Sequence, residues 1–137
     1  MFPFQAKGQA KRILVVDDLE DNLFLLQTIL AEEGYEVDIA KNGKSALAKI
    51  EESSPDLVLM DAMMPGMNGY EVTRRIRQNK KLPFIPILMI TAYVEANVPK
   101  GLELGANDFI RKPIDYDELM ARIKASLRLK EMINYPQ

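Results

Sequence analysis

Three uninterrupted apolar runs constrain this chain more than any other feature: Ile13-Leu14-Val15-Val16, Leu57-Val58-Leu59-Met60 and Ile87-Leu88-Met89-Ile90. A strand with one face in water alternates apolar and polar residues. A continuous run instead predicts a strand buried on both faces, as in a parallel sheet covered by helices on each side. Each run stops at residues able to do chemistry: Asp17-Asp18 after the first, Asp61 after the second and Thr91 after the third.

The segments between these runs carry helical spacing. From Leu19 onward, Leu23, Leu26 and Leu30 recur on one face until Gly34, a residue suited to the left-handed turn that ends a helix. Tyr35 to Ala40 predicts a short second strand, Asn42-Gly43 a turn, and Ser45 to Glu52 a helix with Ala46, Leu47 and Ile50 inward. Asp56 to Met60 predicts the third strand, Pro65 to Gly69 a loop, and Tyr70 to Gln78 a charged helix with Val72 and Ile76 on its apolar side. Pro83 and Pro86 frame a linker to the fourth strand, Ile87 to Ile90. A helix from about Glu95 to Leu104 is closed by Gly105, and Asp108 to Ile110 forms a fifth strand ending near Lys112-Pro113. The last helix starts near Tyr116 behind Asp115 as N-cap, with Leu119, Met120, Ile123 and Leu127 as its core stripe. Leu129 and Met132 fall on the opposite side of that helix, which leaves open a frayed tail or a helical linker or dimer seam.

Five strands alternating with five helices predict an α/β domain, a doubly wound parallel sheet with right-handed crossovers. The expected division is an N-terminal tail over 1–10, one domain over 11–128 and a C-terminal helical extension or linker over 129–137. In such a sheet the ligand site lies beyond the carboxyl ends of the strands, near the point where strand order reverses. Asp17, Asp18, Asp61, Thr91 and Lys112 are therefore expected to meet at one rim.

Composition narrows what that rim can do. There is no Cys and no His, which excludes thiolate catalysis, Cys zinc sites, histidine general-base chemistry and a phosphohistidine carrier role. A formal charge of -2 with dispersed Lys and Arg offers no field for gripping nucleic acid, so no direct nucleic-acid binding is expected. The apolar runs are too short to span a membrane and no signal peptide is evident, so a cytoplasmic protein without membrane attachment is expected. Neither a Gly-x-Gly-x-x-Gly nor a Gly-x₄-Gly-Lys-Ser/Thr loop occurs.

Three carboxylates at one rim repel one another unless a hard cation joins them, and Mg²⁺ suits one or two carboxylates plus phosphate oxygens. Lys112 adds a movable positive charge, Thr91 a hydroxyl donor and Ala92 a main-chain amide, a donor set that fits a phosphoryl group. With Cys and His absent, the best nucleophile is a carboxylate, and Asp61 is the natural candidate. Each residue also has a plain structural reading: Asp17 or Asp18 capping the first helix, Thr91 the fourth, Lys112 pairing with an acid. Met60, Met63, Met64, Met67 and Met89 are expected to fill space in the core.

Asp17-Asp18, Asp61 followed by Met64-Pro65-Gly66 and Gly69, Thr91-Ala92 and Lys112-Pro113 together resemble the signature of response-regulator receiver domains of two-component signalling, over roughly residues 11 to 128. The resemblance implies the flavodoxin-like fold of the chemotaxis members, with strand order 2-1-3-4-5. It implies that Asp61 is phosphorylated by a histidine kinase or histidine phosphotransfer protein. The Mg²⁺ (or Mn²⁺) would be bound directly by Asp18 and Asp61, through water by Asp17, and by the Met63 carbonyl. It further implies that Lys112 and Thr91 contact the phosphoryl oxygens, that the bond before Pro113 is cis, and that Thr91 and Phe109 form the switch. Relatives use the positions of Met63 and Tyr93 to orient the hydrolytic water, and neither carries a carboxylate or amide here, so a long-lived phosphoryl group is expected. The fourth helix, fifth strand and fifth helix would form the face that changes, meets a downstream effector, or pairs two copies. Two rivals are a phosphorylation-independent interaction module of the same fold and a small-molecule phosphotransferase or phosphatase.

Overall fold

The computed structural model describes residues 10–92 and 94–134, with backbone alone for 94–98 and 134. Ten elements alternate strictly: β1 (Arg12–Val16), α1 (Glu20–Glu32), β2 (Glu36–Ala40), α2 (Gly43–Glu52), β3 (Leu57–Asp61), α3 (Gly69–Gln78), β4 (Ile87–Thr91), α4 (Val94–Leu104), β5 (Asp108–Arg111) and α5 (Tyr116–Asn134). The strands form one sheet in the order β2-β1-β3-β4-β5, every neighbouring pair parallel.

The apolar runs are buried for the reason their continuity predicts: each strand feeds two cores. Ile13, Val15, Leu57, Leu59, Leu88, Ile90 and Ile110 face one way, onto Leu23, Leu26 and Leu30 of α1 and Leu119, Ile123 and Leu127 of α5. Leu14, Val16, Val58, Met60, Ile87 and Met89 face the other, onto Ala46 and Ile50 of α2 and Tyr70, Val72 and Ile76 of α3. The two-residue period of a strand sends alternate side chains to opposite layers.

Local signals set the boundaries. Gly34 closes α1 with φ +96, and Asn42 and Asn68 cap α2 and α3 by accepting from the Ser45 and Glu71 amides. Asp115 Oδ1 accepts from the amides of Asp117 and Glu118 at the start of α5. β3 lies one residue later than its sequence pattern suggests. Asp56 bonds through both its amide and its carboxylate to the Arg12 backbone ahead of the strand, and Asp61 pairs in register with Ile90. That shift matters, because it places Asp61 on the rigid ladder instead of the loop. At the other end, α5 continues unbroken to Asn134. Lys130 reaches the Phe84 carbonyl at 3.0 Å and Lys11 lies 3.5 Å from Glu131.

On the α3–α4 side, Gly101 allows two rings to press against helix α4. A Cβ there would lie 2.4 Å from Phe109 Cζ and 3.1 Å from Tyr70 Cε1. Gly101→Ala gains about 1 kcal/mol of helix propensity, but rigid aromatic rings cannot yield cheaply. The expected net effect is a loss of about 1–2 kcal/mol in urea unfolding with displaced Phe109 ring resonances. A variant more stable than wild type would show that the rings have room to move.

Candidate functional site

The carboxyl ends of β1, β3, β4 and β5 bring the sequence-predicted residues to one rim. Asp17 follows β1, its amide bonded to the Ala40 carbonyl; Asp61 ends β3; Thr91 ends β4; and Lys112 follows β5, its amide bonded to the Thr91 carbonyl. β1 and β3 are the neighbours between which the chain reverses its direction of strand addition, so Asp17 and Asp61 flank the crevice that parallel sheets use for ligands.

Asp17, Asp18 and Asp61 each offer a carboxylate oxygen within 4.8 Å of the other two. Asp17 and Asp61 are buried and Asp18 is half-buried. Lys112 Nζ stands 3.4 Å from Asp61 Oδ1, a long contact, and its side chain is 35% exposed. The Met63 amide also points at Asp61 Oδ1 from 3.4 Å. Burial pushes the Asp61 carboxyl above its ordinary range and the Asp17 charge adds to this, while Lys112 and the Met63 amide oppose it. The pocket therefore holds more negative charge than its own residues neutralise. That surplus, with hard oxygen donors converging from two strand ends, fits a divalent cation such as Mg²⁺.

Asp17 serves two purposes at once. Its Oδ1 accepts from the Leu19 amide at 2.9 Å and its Oδ2 from Asn22 Nδ2 at 3.0 Å, which orders the entry to α1 and fixes the carboxylate. The expected capping role is not met: Leu19 is the N-cap of α1 and no side chain caps it, so Asp17 orders the turn ahead of the helix instead. Asn22 was not singled out from the sequence; an amide five residues after Asp17 on the first turn of a helix is its only signal. Gly69, part of the sequence signature, shows its reason: a Cβ would fall 2.4 Å from the Asp61 carbonyl oxygen, and the Gly69 amide bonds to the Ala62 carbonyl. Only a glycine lets α3 begin this close to the end of β3.

The remaining residues are placed as follows. Thr91 is buried and Ala92 exposed beside it. Phe109 lies in β5 with its ring inward, in the same core cluster as Tyr70. The Lys112–Pro113 peptide bond is cis. Met60, Met64 and Met89 are buried, but Met63 is 59% exposed at the mouth of the site, so packing does not account for it. Tyr93 lies outside the described residues. Leu19, Phe24, Leu25 and Tyr116 are also exposed, and a cleft of about 200 Å³ between α1 and the start of α5 is lined by Asp17, Asn22, Leu25, Lys112 and Tyr116.

A five-stranded parallel sheet with an acidic cluster, a hydroxyl and a lysine at its carboxyl rim is the arrangement expected of a receiver domain of two-component signalling. The family comparison agrees: the response regulator receiver domain family matches residues 13–124, and the chain belongs to that family. It is 44% identical over 124 residues to response regulator PleD of Caulobacter vibrioides, a match covering 90% of this chain and 27% of PleD. It is 46% identical over 123 residues to the alkaline phosphatase synthesis transcriptional regulatory protein PhoP of Bacillus subtilis, covering 89% of this chain and 50% of PhoP. The chain thus spans half or less of the length of these curated relatives. Among solved structures it resembles response regulator protein TrrA of Thermotoga maritima in complex with Mg²⁺-BeF, at 40% identity and TM-score 0.76 over 85% of this chain and 98% of that one. The flavodoxin-like fold and the receiver family expected from the sequence are both borne out. Among the described residues no helix is long and apolar enough to cross a membrane.

Proposed function

We propose that this receiver takes a phosphoryl group onto Asp61. One observation carries the reading: Asp61 sits buried on the sheet ladder, within the Asp17–Asp18 cluster and 3.4 Å from the Lys112 ammonium. A carboxylate oxygen of Asp61 attacks phosphorus in line as the bond to the donor's leaving group breaks. That group is an imidazole nitrogen on a histidine kinase or histidine phosphotransfer protein, or the oxygen of a small donor such as acetyl phosphate. Lys112, the Thr91 hydroxyl and the Ala92 amide then hold the phosphoryl oxygens. Asp17, Asp18 and Asp61, with the Met63 carbonyl, would hold Mg²⁺, or Mn²⁺ in its place. The ion supplies positive charge that offsets the crowding of carboxylates and phosphoryl oxygens. The apolar residues exposed around the rim, Leu25 and Tyr116 among them, give a protein donor a surface to dock on.

The output follows from which elements touch the site. Thr91 and Phe109 couple the rim to α4, the helix with Pro99 and Gly101 in its interior, where Pro99 donates no amide to the helix ladder. A helix so weakened repacks at low cost, which supports α4, β5 and α5 as the face whose population shifts on phosphorylation. That face would meet an effector or a second copy. The last turn of α5 carries exposed Met132 and Ile133, which supports a helical linker or dimer seam there. A cytoplasmic location fits this role.

The decisive experiment is intact mass after incubation with acetyl phosphate, with and without Mg²⁺, on wild type and Asp61→Ala. A Mg²⁺-dependent gain of one phosphoryl group, lost in the variant, is expected. No gain under conditions that phosphorylate another receiver would favour the phosphorylation-independent module. The lifetime is a second expectation. Position 63 offers a thioether and position 93 a phenol, neither a carboxylate nor an amide, so isolated phosphoprotein should decay slowly in Mg²⁺ buffer. Met63→Glu is expected to speed decay on the order of ten- to a hundredfold, at or below the hundredfold floor of what a well-positioned base contributes. Equal half-lives would remove Met63 from the account.

A further inference from the structure

Among the described residues, the hydroxyl of Tyr70 is a buried side-chain oxygen with no hydrogen-bond partner. Its ring lies in the core cluster with Met89 and Phe109, against the backbone of α4 at Gly101. The Thr91 side chain lies close enough to act on the Tyr70 phenol, yet no hydrogen bond to that hydroxyl is formed. A buried hydroxyl without a partner costs stability, and Phe would fill the same space without that cost.

We infer that the Tyr70 hydroxyl is a positioning group for Thr91, donating to Thr91 Oγ1 when that hydroxyl turns to donate to a phosphoryl oxygen on Asp61. The inference rests on the aspartyl-phosphate reading above. A threonine hydroxyl has one proton to give and two lone pairs to offer. Once its proton points at the phosphoryl group, its oxygen can act as an acceptor toward the protein side. Tyr70, reaching from α3, supplies the donor. The resulting chain, Tyr70 O–H to Thr91 Oγ1–H to phosphoryl oxygen, is polarised in one direction, which strengthens the terminal bond. Burial keeps the phenol protonated by pushing it above its ordinary range, with the Thr91 contact opposing. Phe109 has no hydroxyl to give, so among the described residues of this core cluster the phenol comes from Tyr70 on α3 instead of from β5.

The partner is thus the site's own threonine, and the state read out is the phosphoryl-bound one. Beryllofluoride with Mg²⁺ takes the shape of a phosphoryl group on a carboxylate and can be titrated by calorimetry. Its affinity should be compared in wild type, Tyr70→Phe, Thr91→Ala, Thr91→Ser and the two double variants. Tyr70→Phe is expected to leave the unliganded melting temperature equal or higher, while weakening beryllofluoride about three- to tenfold, one net hydrogen bond's worth. The weakening should persist with Thr91→Ser and vanish with Thr91→Ala. An unchanged affinity, or the same loss in the Thr91→Ala background, would overturn the assignment, the latter by showing a packing effect. If wild type itself neither binds beryllofluoride nor gains a phosphoryl group, the receiver reading fails first and this inference falls with it.

Discussion

Asp61→Asn is expected to abolish phosphoryl uptake while raising the melting temperature of the metal-free protein. The two effects come from one cause. Asp61 is 4% exposed, and its carboxyl is pushed above the ordinary range by burial and by the Asp17 charge, more than Lys112 and the Met63 amide pull it down. The folded state therefore holds the Asp61 proton to higher pH than the unfolded chain does. In that circumstance stability is greatest below the ordinary carboxylate value. It declines as pH rises through the folded value, and is lowest once the group is ionised in both states. Above the folded value the charge is present and destabilising. Asparagine keeps the shape and an acceptor for the Met63 amide and removes the charge. A gain of roughly 1–2 kcal/mol is expected, within the range single substitutions commonly produce. The acidic-to-neutral decline in stability should flatten in the variant. Mg²⁺ should raise the melting temperature of wild type more than that of Asp61→Asn, since the ion relieves a repulsion the variant lacks. Thermal unfolding from pH 4 to 8, with and without Mg²⁺, tests this alongside phosphorylation by mass. A variant less stable than wild type throughout would mean that the Lys112 contact outweighs burial.

Much of this site is legible in the sequence because a parallel sheet converts strand order into position. Once Ile13–Val16, Leu57–Met60 and Ile87–Ile90 are read as doubly buried strands, whatever follows them must stand on one rim. Asp17, Asp61 and Thr91 do so in the structure. Register along a buried strand is harder. A uniformly apolar run has no alternation to mark its start, and β3 indeed lies one residue later than its pattern suggests. Contacts made by polar residues across the fold are harder still. Arg74, Arg75 and Arg77 are indistinguishable as letters on a charged helix. The first two pair with Glu71 on the surface and hold its carboxyl down at about 2, Arg74 contributing most. Arg77 turns inward, and its partners lie 8 to 30 residues away. Tyr70 reads as an ordinary core aromatic for the same reason: nothing local says that its hydroxyl will be buried without a hydrogen-bond partner.

Arg77→Met is expected to destabilise the domain by roughly 3–5 kcal/mol, about 1–3 kcal/mol for each buried acceptor left without its donor, partly relieved by water. The Arg77 guanidinium donates to the Gly105 carbonyl at 2.9 Å, the Ile85 carbonyl at 2.7 Å and Asn107 Oδ1 at 2.7 Å. It also lies 5.2 Å over the Phe84 ring. Burial pulls its pKa down, and none of these partners is a carboxylate, so the charge is solvated by fixed dipoles alone. Gly105 makes room for the stem: at φ +113, a Cβ there would lie 2.6 Å from Arg77 Cγ. The clamp joins the approach to β4 with the turn into β5, since Asn107 Oδ1 also accepts from the Ile87 amide. Those two strands deliver Thr91 and Lys112 to the rim, so a side chain at the opposite end of the sheet sets how firmly the site is held. Methionine fills part of the volume but leaves two carbonyls and an amide oxygen short of donors. Lysine keeps the charge but offers a point donor in place of the planar fork, and should recover little of the loss. Against a typical stability of about 5–15 kcal/mol, Arg77→Met removes roughly a fifth or more, and a melting temperature lower by about 10–20 °C follows for a domain this size. Phosphorylation below the new melting point should still occur, because no group at the rim is altered. A variant within about 1 kcal/mol of wild type would show that water replaces the guanidinium and that the clamp contributes little to the fold.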